Sequence, residues 1–458
     1  MEKYINVYFE IYGCEMNKSQ ANSLKLILEK NLIKEVFDYK SADYIILYTC
    51  SVRKSAEDKV FRRLNYFKKL RKEKKLKIII AGCMPEEYQN YFIEENLADF
   101  IIGTKNQKDI LNYILNDFNF KVNLKEEKLF LNDDFLKIES LKRAIDLDNF
   151  EFLPSRCDDQ YPFLAYVNIV HGCSNFCSYC IVPYLRGKEV SRKSSEIIED
   201  VKKLAENGIK EIYLLGQNVL FYGKDNNDIT FYELLEKISN INGIELISFL
   251  SPHPKDFDEN LIHTISILPK VSKVVHLPLQ SGSDEVLARM NRKYSIKDYL
   301  KIVETFYKYN RTINFTSDII VGFSGETEED FLKTLDVVKR VRYIDVFTYK
   351  YSKRPLVKEI YKDDISEDIK SERLLRLISL VQEISKERRK ENLSKTKKAI
   401  ILKESKKSMD YLLFKTFDGF NGVIRRDGLK PGDILSVNLK SLRGKTFVGE
   451  RIHVENYN

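Results

Sequence analysis

The 458-residue sequence has no tryptophan, no apolar run of 18 or more residues, and only seven cysteines. The missing apolar run excludes an ordinary transmembrane helix, so no membrane partner is expected. Met1-Glu2-Lys3-Tyr4 leads straight into a strand pattern with no signal-peptide core, which points to the cytoplasm. The cysteines stand at positions that do not pair, which fits a reducing compartment and metal binding better than a disulfide scaffold. Hydrophobic residues at 43% and charged residues at 31% are the composition of a soluble globular protein, and the length suggests about three domains.

The formal charge of +8 is unevenly placed. Lys395 to Asn458 carry 14 Lys and Arg against 7 Asp and Glu, while the preceding 394 residues carry 62 against 61. A compact basic module beside a nearly neutral body is an electrostatic footprint for a polyanion, most simply RNA. Its alternative is a lysine-rich solvated surface.

Three cysteines, Cys173, Cys177 and Cys180, fall within ten residues as C-x3-C-x2-C. So close together they cannot all pair with one another, but three thiolates round a loop suit a soft metal or an iron–sulfur cluster. A closed zinc site wants four ligands, and the only nearby histidine, His171, sits at the end of a strand pattern. A 4Fe-4S cluster on three cysteines would leave one iron open for chemistry. A zinc knuckle is the plainer alternative.

The stretch resembles the signature of the radical S-adenosylmethionine enzymes, with the aromatic Tyr179 before the last cysteine. Ile181 to Gly187, followed by Val190-Ser191-Arg192, is similar to the methylthiotransferase branch of that family. The resemblance implies a cluster whose open iron is chelated by S-adenosylmethionine, and reductive cleavage to methionine and a 5'-deoxyadenosyl radical, with the protein supplying orientation and exclusion.

Residues 1 to about 120 alternate strands (5–11, 44–48, 77–81, 100–103) with helices (19–29, 55–72), the pattern of an open, mainly parallel sheet covered on both faces. Cys14, Cys50 and Cys83 each follow a strand directly. The carboxyl ends of parallel strands share one edge, so three separate thiols can converge there. Gly13-Cys14-Glu15-Met16-Asn17, Thr49-Cys50-Ser51-Val52-Arg53 and Gly82-Cys83 resemble the N-terminal domain motifs of methylthiotransferases, which implies a second, auxiliary 4Fe-4S cluster on Cys14, Cys50 and Cys83. Glu15-Met16-Asn17 is closer to the tRNA branch acting on N6-isopentenyladenosine. Residues 121–158 read as a linker with a short helix around 136–145, and Cys157 as a free thiol.

From 159 to 391 strands recur with helices between them (165–170, 211–215, 245–250, 273–276, 315–321, 344–349), six units of a partial (β/α)6, TIM-like barrel. The residues after these strands, including Gly216-Gln217-Asn218, Ser251-Pro252-His253, Pro278 to Ser283 and Gly322 to Thr327, resemble the motifs lining the S-adenosylmethionine and substrate cavity. Gln217, Gln280, Asp318 and Gly322, with Tyr179, are placed near it. Ser324 replaces a usual proline, and Ser352 to Val357 lacks a usual Gly-Thr. Residues 364–392 read as a helix with an apolar stripe at Leu374, Leu377, Ile378, Val381 and Ile384, and a basic end, Lys386 to Lys390, available to RNA.

After Ser394 five short strands in about 60 residues suggest a small OB-like β-barrel at 394–457, resembling the TRAM RNA-binding domain. Taken together, the resemblance implies a methylthiotransferase converting N6-isopentenyladenosine at tRNA position 37 to its 2-methylthio form, with two S-adenosylmethionines per turnover. The partners implied are the tRNA anticodon loop, an electron donor such as flavodoxin or ferredoxin, and a sulfur donor. A monomer is expected. The rivals are a methylthiotransferase for threonylcarbamoyladenosine tRNA or a ribosomal protein aspartate, and a non-catalytic RNA-binding metal protein.

Overall fold

The computed structural model describes residues 4–29, 33–51, 54–105, 107, 109–117, 155–156, 161–354, 356–357 and 361–452. They divide into two compact units. The first holds the described residues up to Ser155 together with Tyr184–Arg186, and the second holds the others from Arg156 onward.

In the first unit β1 (Ile5–Ile11), α1 (Glu15–Glu29), β2 (Ile33–Glu35), β3 (Tyr44–Thr49), α2 (Lys54–Glu73), β4 (Lys77–Gly82), α3 (Pro85–Glu94), β5 (Phe100–Ile102) and α4 (Asp109–Asp117) follow in order. The strands form one sheet, β2-β1-β3-β4-β5, with every pairing parallel. Central β3 is buried along its whole length, as a strand covered on both faces must be. Its side chains alternate: Ile46 and Tyr48 pack with Leu24 and Ile27, while Ile45 and Leu47 pack with Leu64 and Phe67. Burying each such side chain stabilises the fold by roughly 1.5–3 kcal/mol.

The linker expected over 121–158, its helix and Cys157 lie outside the described residues, except that Ser155–Arg156 form a two-residue strand, β6. In the second unit β7 (Leu164–Asn168), β10 (Glu211–Leu215) and β11 (Leu246–Phe249) pair in parallel, as do β12 (Val274–His276), β13 (Asn314–Val321) and β14 (Asp345–Lys350). A parallel bridge between Ile247 and Val271 joins the two runs, giving the expected six-stranded partial barrel. β8 (Val170–His171) and β9 (Val190–Ser191) form a small antiparallel pair flanking the cysteine loop.

In chain order the helices are α5 (Val182–Arg186), α6 (Ser194–Glu206), α7 (Phe231–Ser239), α8 (Glu259–Ile267), α9 (Asp284–Arg289), α10 (Ile296–Tyr309), α11 (Glu328–Val341) and α12 (Glu367–Lys390). Capping boxes start three of them, Thr230 with Glu233, Ser295 with Asp298 and Thr327 with Asp330, each satisfying orphan backbone donors for about 1 kcal/mol. Leu377, Val381 and Ile384 of α12 join the barrel core. The basic end of α12 departs from expectation. Arg388 donates to Asn314 Oδ1 and Arg389 to Ser385, so two of its cations are engaged within the protein.

β15 (Thr396–Ser405), β16 (Ser408–Thr416), β17 (Asn421–Arg425), β18 (Ile434–Arg443) and β19 (Thr446–Arg451) close a barrel in the order β15-β16-β17-β19-β18. Ile401, Leu412, Phe414, Val437 and Phe447 fill it. It docks on the amino-terminal ends of the central strands. The Lys273 N–H donates to Phe417 O at 3.0 Å, Asn314 Nδ2 to Asp418 O at 2.8 Å, and Lys210 Nζ to Gly432 O at 2.9 Å. Lys415 reaches Glu211, the first residue of β10, at 2.6 Å and the Tyr213 hydroxyl at 3.1 Å.

Candidate functional site: two cysteine triads

The carboxyl edge of the first sheet gathers Cys14, Cys50 and Cys83. One residue, Thr49, registers all three motifs. Its carbonyl accepts from the Cys83 N–H at 3.0 Å and from Asn17 Nδ2 at 2.8 Å, and its hydroxyl donates to Ala81 O at 2.7 Å. Gly13 has φ +130°, and a Cβ there would stand 2.7 Å from Cys50 Cβ, so only glycine lets the first motif lie over the second. Burial pushes the Cys83 thiol up, opposed by the Arg186 guanidinium and by the Ser51 N–H, while Cys14 adds to the rise.

Cys173, Cys177 and Cys180 lie on the loop after β8. Gly172, at φ +87°, could carry no side chain, because a Cβ would come within 1.9 Å of Lys188 O. The Cys173 N–H donates to Gly187 O at 2.9 Å, and the Cys180 N–H to Cys177 O at 2.9 Å. The loop is held from outside by the Ser178 hydroxyl on Arg289 O and by Asn291 Nδ2 on the carbonyls of Asn175 and Phe176. Burial pushes Cys173 up to about 11 and Cys180 up to about 12, with Cys177 adding to both. A bound cation reverses that, since a coordinating thiol is deprotonated outright.

Among the described residues no three His, Cys, Asp or Glu side chains are gathered tightly enough to chelate one ion. Cys14 acts electrostatically on Cys83 in the first triad, and Cys177 on Cys173 and Cys180 in the second. Three soft thiols apiece are a donor set that fits an iron–sulfur cluster.

Residues 167–338 match the Radical SAM superfamily, and residues 6–103 match a family described as uncharacterized protein family UPF0004. The tRNA-2-methylthio-N(6)-dimethylallyladenosine synthase of Thermoanaerobacter pseudethanolicus is 40% identical over 98% of this chain and 93% of its own length. The chain belongs to that synthase family. Synthases of the same name from Finegoldia magna, at 39% identity over 96% of this chain and 93% of that protein, and from Clostridium botulinum, at 37% over 98% of each, agree. Among solved structures, the radical S-adenosylmethionine methyltransferase TsrM of Kitasatospora setae, with tryptophan and a SAM analogue bound, covers 75% of this chain and 72% of that one at TM-score 0.51 and 13% identity. That likeness is one of fold alone.

In this synthase-family chain the other predicted residues separate by what they touch. Gln217 Oε1 accepts the Gly172 N–H, so it steadies the cysteine loop. The Tyr179 hydroxyl receives Arg292 at 3.2 Å, and its ring packs with Val286, Met290 and Phe323. Gly322 donates to Glu326 Oε2 at 2.8 Å and lies against Lys370. Asp318 pairs with His276 at 3.2 Å. Gln280 is buried at φ +65°, its backbone bridging Asp318 and Ile320, and its Oε1 finds no partner among the described residues. Of the two departures from the motif, Ser324 is buried, its hydroxyl without a partner among the described residues, and the second falls partly outside them.

Arg292 escaped the sequence reading, while Arg186 and His253 entered it only inside the motifs Ile181 to Gly187 and Ser251-Pro252-His253, without a role of their own. Buried Arg292 donates to Cys177 Sγ at 3.5 Å and Pro278 O at 3.2 Å. Arg186 lies beside Cys83 in the first unit. His253, after β11, accepts the Lys255 N–H on Nδ1, which leaves the proton on Nε2, a buried donor without a partner among the described residues. Burial, with Arg292 and Lys255 nearby, lowers its pKa from 6.5 to about 2, so the ring is neutral.

Proposed function

We infer that the chain catalyses the 2-methylthiolation of N6-isopentenyladenosine at position 37 of tRNAs in the cytoplasm, giving 2-methylthio-N6-isopentenyladenosine. The observation that carries the reading is the pair of cysteine triads, each set on its own loop system, in a chain 37–40% identical to named synthases over nearly its whole length. Cys173, Cys177 and Cys180 would hold a 4Fe-4S cluster with one iron left for S-adenosylmethionine, and Cys14, Cys50 and Cys83 would hold a second. When bound, these groups would supply the electron that cleaves S-adenosylmethionine and a place for the sulfur to be transferred, reduced by a flavodoxin or ferredoxin and resupplied by a sulfur donor.

The protein's own residues orient and exclude. Arg292 fixes Cys177 and Tyr179 and sets a positive charge beside the thiolate loop. Gln217 holds Gly172, and with it the entry of the loop. His253 offers a donor and Gln280 an acceptor, both buried and without a partner among the described residues, where a ligand would satisfy them; Asp318 and Gly322 would line the same cavity. The C-terminal β-barrel, with exposed Lys406, Lys407, Arg443 and Lys445 at its hairpin tips, would grip the RNA backbone. A loop nucleotide then leaves its stack at modest cost to reach the cavity.

The test is iron and sulfide per chain on anaerobically reconstituted protein, followed by nucleoside mass analysis of tRNA from a deletion strain carrying wild type or Cys173→Ala. About eight irons, falling to about four in the Cys14/Cys50/Cys83 triple Ala variant, is the expected result. Zinc in the wild type, or full methylthiolation with Cys173→Ala, would overturn the reading.

A further inference from the structure

Positive charge in the first unit is concentrated on one element. Residues 54–77, helix α2 and the chain into β4, carry 11 Lys and Arg against 3 Asp and Glu, which leaves 51 against 58 for the rest of the chain before Lys395. Six of the eleven are used within the unit. Lys54 pairs with Glu57 and Asp58, Arg63 with Glu10, Lys68 with Glu95 at 3.3 Å, Arg71 with Asp99 at 3.0 Å and Lys77 with Asp117, while Lys74 donates to the carbonyls of Lys40 and Ala42. The other five, Lys59, Arg62, Lys69, Lys72 and Lys75, are exposed and have no carboxylate partner among the described residues.

Val60, Leu64 and Phe67 anchor α2 in the core, and the unpaired cations lie on its other side. Lys59, Arg62, Tyr66, Lys69 and Lys72 follow at steps of three and four residues, which places them in one line. At 1.5 Å per residue that line is about 20 Å long. The acids on this side stand at its ends, Asp58, paired with Lys54, and Glu73. Tyr66 is 41% exposed within the line, its hydroxyl 3.0 Å from that of Tyr39 and its ring against the Arg63 guanidinium. Like charges three and four residues apart on a helix destabilise it, so folding does not account for the line. A polyanion does. A nucleic-acid strand carries a charge about every 3.4 Å of its axis, so a straight line of cations meets several phosphates together, and an exposed aromatic ring gives a base or ribose a surface to lie on.

We propose that the outer face of α2 binds the phosphate backbone of RNA, with Lys59, Arg62, Lys69 and Lys72 as the contacting cations and Lys75 extending the line. It is a backbone-binding surface of the first unit, additional to that of the C-terminal β-barrel. Helix α2 starts four residues after Cys50, so a strand laid along it has one end at the edge that gathers the first triad. The inference rests on the reading of tRNA as the substrate.

The experiment uses the full chain, reconstituted anaerobically, and tRNA carrying N6-isopentenyladenosine at position 37, with binding measured over a salt series. Changing Lys59, Arg62, Lys69 and Lys72 together to Gln should leave iron per chain unchanged and weaken binding about 10- to 100-fold at low salt. The log–log salt slope should become shallower by about 3, four contacts at about 0.7 each. A control with Lys202, Lys203, Lys237 and Lys301 changed to Gln, exposed residues of the second unit, removes the same charge and should stay within about threefold of wild type. Equal weakening in the control would overturn the proposal, because net charge alone would then explain the loss. Wild-type affinity and slope in the α2 variant would overturn the α2 surface alone, and slower reduction of that variant by flavodoxin would assign the line to an acidic protein instead. A wild-type chain that does not bind this tRNA would overturn the substrate reading itself.

Discussion

Lys415→Met should loosen the C-terminal β-barrel from the central one. Glu211 is fully buried at the start of β10, its Oε1 held by Lys415 at 2.6 Å and its Oε2 without a partner among the described residues. Lys415 also donates to the Tyr213 hydroxyl, and burial of the ammonium is outweighed by Tyr213 and Glu211, which hold its pKa up. Removing the lysine strands a carboxylate in the interior, which costs about 3–5 kcal/mol, whereas replacing both partners by apolar groups is close to neutral. At 1.36 kcal/mol per decade that is about 150- to 5,000-fold in the opening equilibrium. Hydrogen exchange of the β10 and β16 amides reads it directly: their exchange should accelerate by that factor in Lys415→Met and return to within about tenfold of wild type in Lys415→Met/Glu211→Leu. Acceleration below tenfold in the single variant, or a double variant as fast as the single, would refute the argument.

Gly172→Ala should lose about half the iron of the reconstituted protein, because the new Cβ meets Lys188 O at 1.9 Å and the cysteine loop cannot keep its course; iron analysis checks it, and retention of all iron would contradict the geometry. His253, lowered from 6.5 to about 2, stays neutral in the fold while the unfolded chain takes up a proton below its own pKa. Stability from this residue is therefore complete above pH 6.5 and lost as pH falls, by about 2 kcal/mol at pH 5; denaturant melts of His253→Gln should show that much less acid sensitivity than wild type. Binding of tRNA should weaken with salt at a log–log slope of about −0.7 per phosphate contact, and charge reversal at Lys406, Lys407, Arg443 and Lys445 should flatten the slope in filter-binding titrations.

What was legible in the sequence depended on whether a signal was periodic. β3 and β4 are unbroken apolar runs, and the six cysteines recur at fixed points of their loops, so both could be placed before any coordinates. β2 could not, because Ile33–Glu35 has only three residues and owes its extended form to parallel pairing with Ile5, Asn6 and Val7. Helix α1 begins at Glu15, four residues ahead of the expected start at Ser19, because the backbone turns directly out of Gly13-Cys14. Arg186 and Arg292 were invisible as site residues for another reason. Each is one basic residue among 76, and only tertiary packing decides which few are buried beside sulfur. His253 carried a faint signal, a histidine after a strand between two prolines, but its unpartnered nitrogen is a fact of three dimensions.

The docking of the β-barrel on the amino-terminal ends of the central strands, away from the loop that carries Cys173, has a consequence for how substrates are told apart. Strand β13, Asn314–Val321, has eight residues, and at about 3.3 Å each the two ends of the central barrel stand roughly 25 Å apart. On the proposed reading, an RNA gripped by the β-barrel at one end and reacting at the other would be gauged by its length. A fragment too short to reach both would forfeit grip before chemistry: its dissociation constant should rise while the turnover of whatever is bound stays close to that of the full molecule, so the distance acts as a ruler that screens out loose nucleotides and short hairpins.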